Sequence, residues 1–230
     1  MWIKICGNTT LEDAQLAASY GADAVGFVFA PSPRRVTAET VSRITAQLPK
    51  TLEKYGVFVG ADFDEIVTTV EQCGLTGAQL HSASALAPRL RAHFAGRLDD
   101  RKLSIVRVLH YNAQIESQLD TLRQDPATDT VLVDSHTTTA VGGTGVNYDW
   151  QGARSIFNRC GGQLRLIAAG GLSPENVAEA IFTLKPWGVD VASGVETSPG
   201  RKHRERLRDF IWAARKAAAD LSETHQPIRA

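Results

Sequence analysis

Cysteine is scarce in this sequence and poorly placed for cross-linking. Cys6, Cys73 and Cys160 are odd in number, far apart and without a C-x-x-C pair. Such a set supports neither a disulfide framework nor a zinc knot, and it points to a reducing cytosol. Excess charge of one sign is also missing: Lys+Arg and Asp+Glu are 25 each in 230 residues. Without a global field to attract polyanions, nucleic acid is not expected as a partner. Long hydrophobic runs are absent. The longest, such as Ala24–Ala30, are strand-sized, far short of the ~20 residues of a membrane helix. Met1-Trp2-Ile3-Lys4-Ile5-Cys6 lacks the basic head, apolar stretch and small-residue cleavage site of a secretory leader. No Pro/Ser tract divides the chain, and no set of residues at metal-ligand spacing accompanies His81. A soluble cytosolic protein is therefore expected. Its 43% hydrophobic and 22% charged residues are ordinary for a globular chain.

What is present is one period, repeated. Short apolar, β-branched runs alternate with helical stretches. Trp2–Ile5 is the first strand. Thr9-Thr10-Leu11-Glu12-Asp13 reads as a capping box that opens a helix closed by Gly21. Ala24–Phe29 is unbroken and apolar, as a strand buried on both faces should be. Thr37 and Asp62 cap the next two helices. Further strands are predicted at Tyr55–Val59, Ala78–Leu80, Leu103–Leu109, Thr130–Val133, Leu164–Ala168 and Val189–Val191. Helices are predicted over Ser84–Phe94, about Asn112–Leu122, from Ser173-Pro174-Glu175, and over Lys202–Leu221. Eight strand units about 20 to 35 residues apart suit a (β/α)₈ TIM barrel over residues 1–221, with a frayed tail at 222–230. An open doubly wound sheet would more often carry G-x-G-x-x-G after its first strand, where this chain has Cys6-Gly7-Asn8-Thr9.

In such a barrel every loop after a strand reaches one face, where active sites form. Gly170-Gly171 precedes a capped helix, and Ser193-Gly194 follows the eighth strand. Glycine-lined amides in those neighbouring loops can hold a phosphate, although glycine also simply turns the chain. Gly142–Gly145 can serve as a lid or as a third wall. Cys6 sits just before a helix start, whose partial positive charge favours thiolate over the buried-hydrophobe reading. Cys73 and Cys160 fall on the helical layer, where that apolar reading holds. Asp134 closes an apolar strand, so lost hydration would keep it an acid near neutrality, or else it is a structural carboxylate. One of Arg34 and Arg35 can pair with a carboxylate. His81 is a ligand or, preferably, a rim histidine. Arg201-Lys202-His203-Arg204, with Arg206 and Arg208, reads as a solvated helix start and face.

Taken in order, the stretches Lys4–Thr9, Gly21–Phe29, Ser32–Arg35, Gly56–Val59 and Gln79–His81 resemble the phosphoribosylanthranilate isomerase family. Val133–Ser135, Gly142–Gly145, Tyr148–Trp150, Ala169–Val177 and Val189–Glu196 continue the series, which spans residues 4 to about 200. The resemblance implies an Amadori rearrangement, without metal or cofactor and in tryptophan biosynthesis, of N-(5-phosphoribosyl)anthranilate to 1-(2-carboxyphenylamino)-1-deoxyribulose 5-phosphate. It implies Cys6 as general base, Asp134 as general acid and Arg35 on the anthranilate carboxylate. The amides around Gly170, Gly171, Ser193 and Gly194 would take the phosphate. Gln79, His81, Gly143, Gly145 and Asp190 would be further substrate-binding positions. A monomer or homodimer acting on a small phosphosugar is expected. The chain departs from the family's habit at Ser82, Ala192 and Arg107, where glycine, serine and lysine are usual. Another phosphosugar barrel, such as indole-glycerol-phosphate synthase, would want catalytic lysines and a glutamate on the rim. A non-catalytic phosphosugar binder would bind without turnover.

Overall fold

The computed structural model describes residues 1–81, 86–96, 102–135, 149–160 and 162–223. Eight strands close into one parallel barrel in sequence order: β1 (Trp2–Ile5), β2 (Ala24–Val28), β3 (Glu53–Phe58), β4 (Gly77–Leu80), β5 (Ser104–His110), β6 (Thr130–Asp134), β7 (Arg165–Ala168) and β8 (Gly188–Val191). The seam pairs Trp2, Ile3, Lys4 and Ile5 with Gly188, Val189, Asp190 and Val191. Outside lie α1 (Leu11–Ser19), α2 (Ala38–Thr45), α3 (Phe63–Cys73), α4 (Leu86–His93), α5 (Ile115–Arg123), α6 (Trp150–Cys160), α7 (Val177–Leu184) and α8 (Arg204–Glu223). This is the (β/α)₈ TIM barrel that the periodicity predicts. Among the described residues no helix is long and apolar enough to cross a membrane.

Strand alternation divides the apolar residues into two bodies. Ile3, Ile5, Val25, Phe27, Val131 and Val133 join the helices in one core. Trp2, Ala24, Tyr55, Val106, Leu132 and Ile167 pack together in a second, inside the barrel. Large side chains fit there because glycines face them. A Cβ on Gly77 would lie 2.3 Å from the Tyr55 ring, and one on Gly188 would lie 2.8 Å from the Trp2 indole. Above this layer, Gly26 leaves the space that Lys4 and Cys6 occupy.

The predicted caps form. The side chains of Thr10, Thr37 and Asp62 accept from the amides of Asp13, Thr40 and Glu65, each such cap stabilising its helix by about 1 kcal/mol. Three starts differ from expectation. α6 has no counterpart in the predicted elements, although Trp150, Ala153, Ile156, Phe157 and Cys160 make a buried stripe at helical spacing. α7 begins at Val177, because Asn176 is used in the preceding loop: its Oδ1 accepts from the Ser173 amide at 2.8 Å and its Nδ2 donates to the Gly171 carbonyl at 2.9 Å. α8 begins at Arg204, because Arg201–Lys202 (β10) pairs with Glu196–Ser198 (β9) in a short hairpin. The first part of the helix predicted over Ser84–Phe94, the Gly142–Gly145 loop and the end of the tail lie outside the described residues.

The fit of Trp2 against Gly188 is open to test. Gly188→Ala must push a Cβ onto the Trp2 ring and its carbonyl, the latter 2.9 Å away, and overpacking of this kind costs about 1–3 kcal/mol. Thermal unfolding should show a Tm lower by about 2–4 °C per kcal/mol. Gly162→Ala, with nothing within 4 Å of its Cβ, should be neutral or stabilising by up to about 1 kcal/mol. Equal melting of the two variants would refute the packing account.

Candidate active site

The floor of the mouth is a buried ion pair. Lys4 on β1 is fully buried, and register sets it beside Asp190 on β8. Its Nζ donates to Asp190 Oδ1 at 2.8 Å and to Gln79 Oε1, from β4, at 2.9 Å. An ammonium has only donors, so the Gln79 amide is oriented with its Oε1 toward Lys4. Its Nε2 then faces His81 Nε2 at 3.2 Å, and that nitrogen must accept. His81 is therefore the neutral tautomer with its proton on Nδ1. Burial, with His110 and Lys4 nearby, pushes its pKa down to about 4. Burial alone would lower the pKa of Lys4, but Asp190 and Cys6 outweigh it and hold the ammonium above its ordinary range.

Cys6 lies just above this floor, 6% exposed, among Val28, Ala30 and Val57. Both Cys6 Sγ and Lys4 Nζ lie within 3.1 Å of where a Cβ on Gly26 would sit, so thiol and ammonium are neighbours. The expected help from a helix start is not what acts here. α1 begins only at Leu11, beyond the reach of a dipole effect confined to the first turn. Burial instead pushes the thiol up, with Lys4 and Lys202 opposing and Asp190 adding to the rise.

Lys202, read from sequence as part of a solvated basic face, is buried beneath the mouth. The β9–β10 hairpin turns it inward, where Nζ donates to the Cys6 carbonyl and, at 2.9 Å, to Glu196 Oε1. Glu196 also accepts Arg34 Nε at 3.0 Å and Nη2 at 2.7 Å. Burial would raise this carboxyl, but Arg34 and Lys202 together hold it below the usual carboxylate range. The Arg34 side chain lies over Gly7, where a Cβ would meet its Cδ at 2.6 Å. Arg35 is exposed. Of the arginine pair, Arg34 is committed to Glu196 beside Cys6, and Arg35 stands exposed next to it. Arg107 faces away from the barrel interior and pairs with Asp125 at 3.5 Å.

Asp134 ends β6 at the same rim, half-buried, two residues beyond the interior Leu132. β5 sets His110 beside it in register. The chain after β7 crosses close over this carboxylate. Gly170 has a φ of +83°, and a Cβ there would fall 2.5 Å from Asp134 Oδ1. Gly171 follows at +65°. On the next loop Gly194 nests against the backbone of Leu172, whose carbonyl oxygen would be 1.8 Å from an added Cβ. Only glycine allows this approach. Among the described residues nothing accepts from the amides of Gly170, Gly171, Ser193 or Gly194, which leaves two adjacent loops of free donors.

The structure therefore gathers Cys6, Gln79, His81, Asp134, Gly170, Gly171, Asp190, Ser193 and Gly194 at the C-terminal mouth or its floor. Gly143 and Gly145 lie outside the described residues. Among the described residues no three His, Cys, Asp or Glu side chains gather as a metal site would require. Sequence reasoning gave Lys4, Lys202 and Glu196 no distinct role, and the carboxylate pair it allowed to either arginine is formed by Arg34 with Glu196. A lysine at an inward position of an apolar strand was the available signal for the first of them.

Comparison with known proteins agrees with this geometry. The family model described as N-(5'phosphoribosyl)anthranilate (PRA) isomerase matches residues 3–213. The N-(5'-phosphoribosyl)anthranilate isomerase of Geobacter sp. (strain M21) is 40% identical over 215 residues, covering 93% of this chain and 98% of its own. Among solved structures, phosphoribosyl anthranilate isomerase from Thermotoga maritima is 33% identical with a TM-score of 0.78, covering 94% of this chain and 99% of its own. A phosphoribosyl anthranilate isomerase in complex with reduced 1-(o-carboxyphenylamino)-1-deoxyribulose 5-phosphate is 30% identical with a TM-score of 0.74, over 94% and 99% of the two chains. A barrel whose mouth holds an embedded thiol, a rim carboxylate and two glycine loops thus belongs, by sequence and structure alike, to the phosphoribosylanthranilate isomerase family of enzymes.

Proposed function

We propose that this enzyme converts N-(5-phosphoribosyl)anthranilate to 1-(2-carboxyphenylamino)-1-deoxyribulose 5-phosphate in the cytoplasm, using Asp134 as general acid and Cys6 as general base. The observation that carries the reading is the placement of thiol, carboxyl and free amides around one mouth. The phosphate goes to the amides of Gly170, Gly171, Ser193 and Gly194, whose donors otherwise lack partners among the described residues. The anthranilate carboxylate goes to Arg35, which is exposed at the end of the loop after β2, while its neighbour Arg34 is already held on Glu196.

With both ends anchored, the ribose lies between the two reactive side chains. Asp134 gives its proton to the ring oxygen as the bond from that oxygen to C1′ breaks. The arylamine lone pair fills the gap and an iminium forms. That electron sink acidifies the proton on C2′, and the Cys6 thiolate removes it to give an enolamine. Protonation at C1′ and loss of the C2′ hydroxyl proton yield the ketone, so no atom is gained or lost. The neutral His81 offers its Nδ1–H to a substrate oxygen, and Gln79 keeps it in that form. Anchoring turns both proton transfers into first-order events within one complex.

Turnover is followed as loss of the substrate's fluorescence. Cys6→Ser and Asp134→Asn should each lower kcat by about 10²–10⁴ while a phosphate-bearing product analogue still binds. Near-normal turnover in either variant would remove that residue from its role. The carboxylate anchor is read by KM. Arg35→Met should raise it about 10- to 100-fold, the value of a charge-assisted hydrogen bond. Arg43→Met, exposed and paired along its own helix with Glu39, should change it by no more than about twofold. An unmoved KM in Arg35→Met would remove that residue as the anchor.

A further inference from the structure

The buried lysine beneath the mouth has no part in the proton transfers just described. A fully buried ammonium is costly, and several kcal/mol of desolvation are recovered only when its partners are well placed. A methionine or leucine would fill the same space without that cost. Lys4 nevertheless holds two of its three donors on Asp190 and Gln79, at 2.8 and 2.9 Å. Those bonds brace it from both sides, and the space left by Gly26 brings it against the sulfur. A side chain at position 26 would part them, and there is none.

We propose that Lys4 is a positioning residue for the isomerisation: its braced ammonium is the counter-charge that offsets burial and so lets Cys6 give up its proton to solvent when it serves as base. The use made of that thiolate rests on the isomerase reading above. Among the described residues the groups facing Cys6 are few. Lys4 lies below it on β1. Asp190 on β8 faces it with the opposite effect, and Lys202 reaches under it from β10. Arg34 approaches from the loop after β2, largely balanced by Glu196. From β2 and β3 come the apolar Val28 and Val57, and from β4 the uncharged Gln79 and neutral His81. Lys4 is the one cation among these that is braced and held directly against the sulfur through Gly26. Burial and, less strongly, Asp190 hold the thiol above its ordinary range, and Lys4 and Lys202 act the other way, favouring ionisation.

The test is the ionisation of Cys6 in the free, full-length enzyme, read as the pH dependence of its alkylation by iodoacetamide. Mass spectrometry of the Cys6 peptide separates it from Cys73 and Cys160, and the half-saturation pH does not depend on access. In Lys4→Met that pH should rise by about one unit or more, or about tenfold less thiolate at a fixed lower pH. The ascending limb of kcat/KM, where the base loses its proton, should move with it. Lys4→Arg, which keeps the charge, should titrate near the wild type. Asp190→Asn should move the thiol the other way, to lower pH, because the ammonium then lacks its carboxylate. A purely structural lysine would produce no such opposed pair. Identical titration of Cys6 in wild type and Lys4→Met overturns the proposal. If Lys4→Met does not fold, an unmoved or upward titration in Asp190→Asn overturns it. Wild-type protein that titrates as stated yet turns over no substrate would sink the isomerase reading alone. Full turnover with an unmoved thiol would sink this inference alone.

Discussion

A lysine ammonium shut inside a β-barrel has to be answered from several strands at once, and that requirement organises the mouth. Lys4 sits on β1, Asp190 on the strand that closes the barrel against it, and Gln79 three strands away. Removing one partner of such a pair typically costs about 3–5 kcal/mol, because the other charge is left buried alone. Exposed pairs such as Arg43–Glu39 contribute little by comparison. The ion pair thus ties together strands far apart around the barrel. It separates the apolar filling below, built on Trp2, Tyr55 and Ile167, from the chemistry above.

The order of hydrogen bonding follows from the donors and acceptors available. An ammonium can only give, so the amide of Gln79 presents its oxygen to Lys4 and its NH₂ to His81. One strand position therefore determines a tautomer at another. A second polar set stands beside the first, where Glu196 receives both Arg34 and Lys202. The two sets share Cys6, with Lys4 beside its sulfur and Lys202 on its carbonyl. The thiol is embedded in a web of paired charges, each already answered, rather than presented to open solvent.

Fold and face were plain in the sequence because both depend on short-range regularities. Apolar strands such as Ala24–Val28 and caps at Thr10, Thr37 and Asp62 carry their own signals. The residues gathered at the mouth were legible as ends of strands. What escaped reading depends on approach in space. Lys202 looks like surface from its neighbours Arg201, His203 and Arg204, and only the hairpin with Glu196–Ser198 turns it inward. Arg34 and Arg35 are adjacent and chemically identical, and only approach in space shows that it is Arg34 that lies over Gly7 and pairs with Glu196. The environment of Cys6 was misjudged for the same reason. A helix start close in sequence looked influential, whereas the charges that matter come from residues 4, 190 and 202.

The bond from Lys202 to the carbonyl of Cys6 joins two residues 196 positions apart in the chain. Strand–helix units of a barrel can assemble in turn as the chain emerges from the ribosome, but the pocket around the sulfur stays open below until the β9–β10 hairpin has formed and turned Lys202 inward. Maturation of that pocket is thereby coupled to the folding of a short hairpin that lies outside the barrel itself.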